Sequence, residues 1–370
     1  MYINKKIMAA SVAAVVFAAA ACSKSTDSSK SSSSLFGSYD QGTMLTNVGS
    51  TVLLAGINNF STGAAADVSA ISAFTANPNT TTLTAAQNAW IALALNWGTV
   101  APFNFGPLND NLISATVDTW PANPAKIETA ITAQSTASSV GADTKGLKGL
   151  EYLLFDKTGN AAVVAKYTGT GAANRITFLN SVAQDLASQA TNLQKQWTGG
   201  YLNTFENAKG NDVSSSVSQV VNTISLYLDE VKNMKVGNPI GMGVKVNDNQ
   251  PHPDQIEYTI AEESLPVMKA NVLAMKAAFD GGSGQGLDDL LNYVKAQKNG
   301  QNLSTVVDSQ FDDVITKMNL INSPYATAVG SQKQQVQDVF ASLKVLIAYF
   351  KVDIANNLGV TITFADTDGD

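Results

Sequence analysis

Lys148 and Glu151 stand three residues apart in the stretch GLKGLEYLLFD, residues 146–156. An ammonium and a carboxylate at that spacing share one face of a helix. Isolated charges are very costly to bury, so on a leucine-rich helix the two must be paired or must open onto a polar cavity. Three kinds of chemistry follow from these residue types. The pair can be a self-satisfied ion pair at i, i+3. It can line a pocket and hold a ligand. A lysine whose pKa is depressed by burial can also act as a base toward a serine, and Ser135, Ser138 and Ser139 lie just upstream. The residues alone leave all three open.

The element that carries the pair reads as a helix over 144–155. Lys148, Glu151, Tyr152 and Phe155 share one face, and Leu147, Leu150, Leu153 and Leu154 cover the other. Gly146 and Gly149 leave a flat strip for a close neighbour, and Asp143 is placed to cap the start. Helical spacing recurs along nearly the whole chain. It is clearest in 174–197, 214–233 and 334–354, where Val336, Val339, Phe340, Leu343, Leu346, Ile347 and Phe350 trace one face. Further helices are expected over 40–57, 64–75, 84–99, 124–134, 256–279, 286–298 and 304–320. Asn123 before Pro124 is an N-cap followed by proline at the first helical position. Glycine-rich breaks fall at 198–201 and 281–286, and GVTITF at 359–364 is the one short alternating run. The class is therefore all-α, with helices packed as bundles and a boundary near residue 200. One irregular region, 101–123, interrupts the pattern. It holds Pro102, Pro107 and Pro121, with Pro124 just beyond it, together with Phe103, Phe105 and Trp120. A loop of that length is either pinned by its own aromatic anchors or functional, and in the second case it would cover the Lys148–Glu151 face.

The bulk composition narrows the function. The chain has 370 residues, 45% hydrophobic and 14% charged, with a net charge of −7. Such an acidic chain lacks the basic face that displaces counterions from phosphate, which excludes a nucleic-acid binder. GSGQG in 282–286 has neither a preceding strand nor a phosphate-binding lysine, so no nucleotide site is expected. Residues 1–21 read as a secretory signal, with Lys5 and Lys6 ahead of a short apolar run. AAAC at 19–22 resembles a lipobox, so Cys22 is expected to become the acylated N-terminus and to anchor the chain in a membrane. The serine-rich stretch 22–34 then serves as a tether. Cys22 is the single cysteine, so its acylation would leave no thiol for a disulfide, a zinc site or a nucleophile. His252 is the single histidine and sits in PHPD, which reads as a solvated loop. DTDGD at 366–370 begins like a calcium loop but lacks the bidentate acid, and reads as an acidic tail.

In order along the chain, AW at 89–90, PFNFGPL at 102–108, DTWP at 118–121, GLKGLEYLLF at 146–155, KVGNPIG at 235–241 and KVDIANNLGVTITFADTDGD at 351–370 resemble the imelysin family of bacterial envelope proteins. The resemblance implies two helical bundles related by an approximate internal repeat, here 35–200 and 201–370. It also implies a lipid-anchored protein of the cell envelope, placed at the outer membrane and facing the periplasm or the cell surface. The family is associated with iron acquisition and carries a peptidase label, with a G-x-H-x-x-E motif proposed to hold metal. Gly146 and Glu151 fit that motif, but Lys148 stands where the histidine belongs. A neutral imidazole offers a lone pair, whereas an ammonium has three donors and no acceptor. The expectation is therefore a non-enzymatic binding protein linked to iron or another divalent metal, with an envelope protein as a further candidate partner. The expected pocket comprises Lys148, Glu151, Asp118, Trp120, Phe103, Asn104 and Phe105. A metal-dependent peptidase and a surface interaction module are the alternatives.

Overall fold

The computed structural model describes residues 33–322 and 324–364. The leader, Cys22 and the acidic tail 366–370 lie outside the described residues. The architecture is all-α: the single strand pair among the described residues joins Gln297–Lys298 to Gln301–Asn302. Residues 359–364 form no strand. They are held by a side-chain amide instead: Asn222 donates to the Thr361 carbonyl at 3.0 Å and accepts from the Thr363 N–H at 2.8 Å.

The helices expected over 40–57 and 64–75 are one continuous rod. Helical backbone runs through Gln41–Asn47, a π turn at Val48–Leu54, and Ala55–Ala76. The polar run NNFSTG at 58–63 does not break it, because Ile57, Phe60, Ala64, Ile71 and Phe74 are all buried along one side. Packing of that stripe overrides weak local propensity.

Ala55–Ala76, Thr80–Val100 and Ala172–Gln196 pack side by side, and Gly146–Leu154 lies against the last two. After the kink at Gly200, Ser216–Glu230, Ser264–Asp280, Leu303–Asn319 and Lys333–Ala348 form a second group. The two groups meet where Thr80–Val100 crosses Ser264–Asp280. There a Cβ on Gly98 would stand 3.0 Å from Ala270 Cβ, and Asn271 Nδ2 donates to the Gly98 carbonyl at 2.8 Å. Buried side chains of both groups belong to one contiguous apolar cluster. Among the described residues no helix is long and apolar enough to cross a membrane.

The 101–123 region carries two short helices, Pro107–Asp110 and Ile113–Val117. Asn123 caps Pro124–Thr132 as expected, accepting from the Lys126 N–H at 3.1 Å.

Candidate functional site

The helix Gly146–Leu154 is seated by two contacts. Gly146 has φ +65°, and a Cβ there would lie 2.4 Å from the Val117 carbonyl oxygen. Only glycine fits both the backbone and the space, so the first turn comes to rest beside Val117 and Asp118. Trp90, fully buried, donates its indole N–H to the Leu147 carbonyl at 3.0 Å. Asp143 does not cap this helix. Lys145 occupies the N-cap without a side-chain bond, and Asp143 pairs with Lys126 at 2.7 Å.

Lys148 and Glu151 do not form the intrahelical ion pair. Lys148 Nζ lies 2.9 Å from Asp118 Oδ1 and 3.1 Å from Glu257 Oε2, over the ring of Tyr258. Glu257 is shared with a second lysine: Lys235 Nζ lies 3.1 and 3.0 Å from its two carboxylate oxygens. Asp118 also accepts from the Tyr258 hydroxyl at 2.6 Å and from the Trp97 indole at 2.9 Å. The result is an alternating chain of charges, Asp118–Lys148–Glu257–Lys235. The side chains of Lys148 and Lys235 are 1% and 7% exposed. Burial pushes the Glu257 carboxyl up, but the two ammonium groups outweigh it and hold the group at about 2. Burial likewise opposes the charge on Lys235, yet Glu257, Tyr227, Glu230 and Asp118 hold its pKa well above the usual lysine value. Burial, reinforced by Asp118 and Glu257, raises the Tyr258 phenol well above its ordinary value.

The helix expected over 256–279 begins only at Ser264. Residues 256–263 form a strap across the Lys148 face, with Tyr258 and Glu262 in left-handed backbone at φ 51° and 62°. Glu151 fastens this strap. Its Oε1 accepts the backbone N–H groups of Ile260 at 2.9 Å and Ala261 at 3.0 Å. Burial raises the Glu151 carboxyl, and the Ala261 N–H and Lys148 only partly offset it. Lys235 reaches the same strap from a π turn, Val231–Gly237, that continues the helix Ser216–Glu230. One-turn π insertions of this kind recur at functional sites, because they re-aim side chains relative to the helix.

The other expected site residues separate. Phe103 and Phe105 are core anchors, with Phe105 packed on Phe205 and Trp197 at ring distances of 5.9 and 6.3 Å. Trp120 is half-buried and does not line the neighbouring cleft. Asn104 and Asp118 do line it. Tyr152 leaves the Lys148 face for Glu128, at 2.7 Å, and Phe155 packs edge-on against Trp90. The base-and-serine arrangement is absent. Ser138 bonds the Thr136 hydroxyl and Ser139 the Thr136 carbonyl, at 3.0 and 2.9 Å, and Lys148 contacts Asp118, Glu257 and the Tyr258 ring. His252 pairs with Asp248 at 2.8 Å in its loop. Sequence reading missed Glu257, Tyr258 and Lys235. The signal for Lys235 was a pair of lysines, Lys232 and Lys235, close together in the short stretch VKNMKVG.

The cleft has a volume of about 160 Å³. It lies between the 97–118 segment and the helix Ser216–Glu230, with Asp118, Asn104, Tyr227 and Glu230 in its wall.

The donor set does not fit a metal. The ammonium of Lys148 stands between the two carboxylates that an ion would need, and Trp97, Tyr258 and Lys235 take further acceptor positions on them. A cation would meet an ammonium at contact distance and find no imidazole. Among the described residues no group of three or more His, Cys, Asp or Glu side chains is arranged to hold a metal ion.

An all-α body with a buried charged network under a strap defines a helical-bundle protein. Residues 53–348 match the imelysin family model, Peptidase M75, and the chain belongs to the imelysin family. Two solved structures share the fold. One, from Parabacteroides distasonis ATCC 8503, is classed as an iron-regulated protein A precursor. It is 18% identical, with a TM-score of 0.69 over 86% of this chain and 95% of that one. The other is an imelysin-like protein from Psychrobacter arcticum 273-4, 16% identical, with a TM-score of 0.69 over 88% of this chain and 97% of that one. No curated protein matches the sequence.

Proposed function

We propose that this imelysin-family chain is a non-enzymatic binding protein of the cell envelope, lipid-anchored through Cys22 and linked to iron acquisition. One observation carries the non-enzymatic reading. Lys148, at the position of the motif histidine, neutralises Asp118 and Glu257 with a cation that belongs to the chain. That ammonium supplies no lone pair to a metal and no acceptor to a water nucleophile. The link to iron then runs through a bound molecule or an envelope partner, not through an ion seated at Lys148. The iron-regulated relative of the same fold supports that association, and the lipobox-like stretch before Cys22 supports the anchor.

The test measures binding and hydrolysis together. Calorimetry of the metal-stripped chain with ferrous, ferric, zinc and calcium ions is expected to show no binding at this site. An unfolded protein substrate is expected to stay intact with or without zinc. Zinc-dependent cleavage that is lost in Glu151→Gln would overturn the reading. For the anchor, Cys22→Ser is expected to move the protein from the membrane fraction to the soluble periplasmic fraction.

A further inference from the structure

We propose that the cleft beside Asp118 binds a small organic cation, an ammonium or guanidinium group on a short alkyl chain. The inference rests on the non-enzymatic reading above and adds the ligand class.

The charge balance is the first support. Lys148 and Lys235 face Asp118, Glu257 and Glu230, so one carboxylate is in excess. The excess falls on Glu230, whose side chain is 47% exposed and whose nearest cation, Lys235, is 3.9 Å away. The Glu230 carboxylate makes no hydrogen bond to a described side chain, and Asp118 Oδ2 accepts only the Trp97 indole. Both carboxylates lie in the cleft wall, and no lysine, arginine or histidine lines it. The two lysines of the network sit behind the wall, too buried to reach a ligand.

The rest of the wall suits the stem of such a cation. Trp97, Tyr227 and Leu226 give aromatic and aliphatic surface, and Asn104 adds an amide at the mouth. Alkyl stems of amines bury along such surface while the charged head keeps polar partners, and aromatic faces attract the cation. The volume of about 160 Å³ admits a side-chain-sized molecule and falls below the roughly 300–1,000 Å³ typical of drug-sized ligands. A calcium or magnesium ion is disfavoured, because it needs six or more oxygens and the carboxylates of the cleft wall are only Asp118 and Glu230. An anion would meet two carboxylates.

Calorimetry of the full chain with 1,4-diaminobutane, agmatine, N-acetyl-lysine methylamide, 1-butanol and calcium tests this. The amines are expected to bind and the neutral alcohol and calcium are not. Binding of the lysine derivative would assign the cation to a peptide side chain, and binding of the free diamine or agmatine alone would assign it to a small metabolite. Glu230→Gln is expected to weaken amine binding at least about tenfold, the scale of one charge-assisted hydrogen bond. Thr223→Lys, which puts a tethered ammonium into the cleft, is expected to abolish it with the melting temperature kept. No heat with any amine, or full affinity in Glu230→Gln, overturns the proposal. Zinc-dependent cleavage in the earlier assay would sink the parent reading while leaving these heats as measured.

Discussion

Two buried lysines share the Glu257 carboxylate, at 3.1 Å from Lys148 and 3.0 Å from Lys235. Glu257→Gln keeps the shape and removes the charge. Both lysines are almost fully buried, so one of them loses its main counter-charge, and breaking a buried pair costs about 3–5 kcal/mol. Urea denaturation is expected to show a loss of that size at neutral pH. The wild-type carboxyl is held at about 2, below its unfolded value. Its contribution is therefore complete above the unfolded pKa and is lost as pH falls toward 2. Asp67 behaves in the opposite sense. It is buried in Ala55–Ala76, its Oδ1 has no hydrogen-bond partner, and burial pushes its pKa up to about 7. The folded protein holds that proton and the unfolded chain releases it near pH 4, so stability falls as pH rises from there toward 7. The span corresponds to about 4 kcal/mol at most. Asp67→Asn removes the titration. Melting temperatures measured from pH 4 to 8 are expected to fall less steeply in the variant, and the variant is expected to be the more stable at pH 8. An unchanged slope would mean that Asp67 is ionised in the folded state.

At the scale of elements, the strap 256–263 decides how the site is closed. It has no regular secondary structure and is tied down by Glu151, Glu257 and the Tyr258 hydroxyl. Glu151→Ala leaves the Ile260 and Ala261 amides without their acceptor, a loss of about 1–3 kcal/mol for buried donors. Amide hydrogen exchange is expected to speed up at those two residues at least about tenfold, with helix 146–154 still protected. Equal loss of protection throughout that helix would mean that Glu151 supports the helix, not the strap. The strap also marks where sequence reading ran out. Apolar periodicity carried the 256–279 helix back through Ile256 and Ile260, yet Pro266 was the warning. Proline is tolerated in the first helical turn but not deeper, where its ring clashes with the carbonyl four residues back. Placing Pro266 in the first turn starts the helix near Ser264, as observed, and releases Glu257 and Tyr258 into a loop. The motif helix itself was legible, because Gly146 and the leucines state a buried helix with a close neighbour. Of the partners of Lys148, Asp118 was placed in the expected pocket, but Glu257 and the second lysine that shares it, Lys235, were not. They are distant in sequence, and a helical wheel ranks only neighbours three and four residues away.

At the scale of the molecule, the charged network and the apolar core make the same connection. Asp118 and Lys148 come from before residue 200, and Lys235, Glu257 and Tyr258 from after it. A few residues away, Gly98 of one group meets Ala270 and Asn271 of the other. Two bundles joined by a continuous apolar cluster and a buried ion network should unfold together, because neither can expose its side of the junction without leaving charges unpaired. Differential scanning calorimetry is therefore expected to give one transition. Gly98→Val probes the junction directly: a Cβ at 98 stands 3.0 Å from Ala270 Cβ and 3.3 Å from the Val267 carbonyl oxygen, so the helices must part slightly. Overpacking of this kind costs about 1–3 kcal/mol. The single peak is expected to shift down as a whole, and Glu257→Gln is expected to shift the same peak. If either variant instead splits the peak, with one component left at the wild-type temperature, the two bundles are independent units. The cleft beside Asp118 would then sit at a movable joint instead of in a fixed wall.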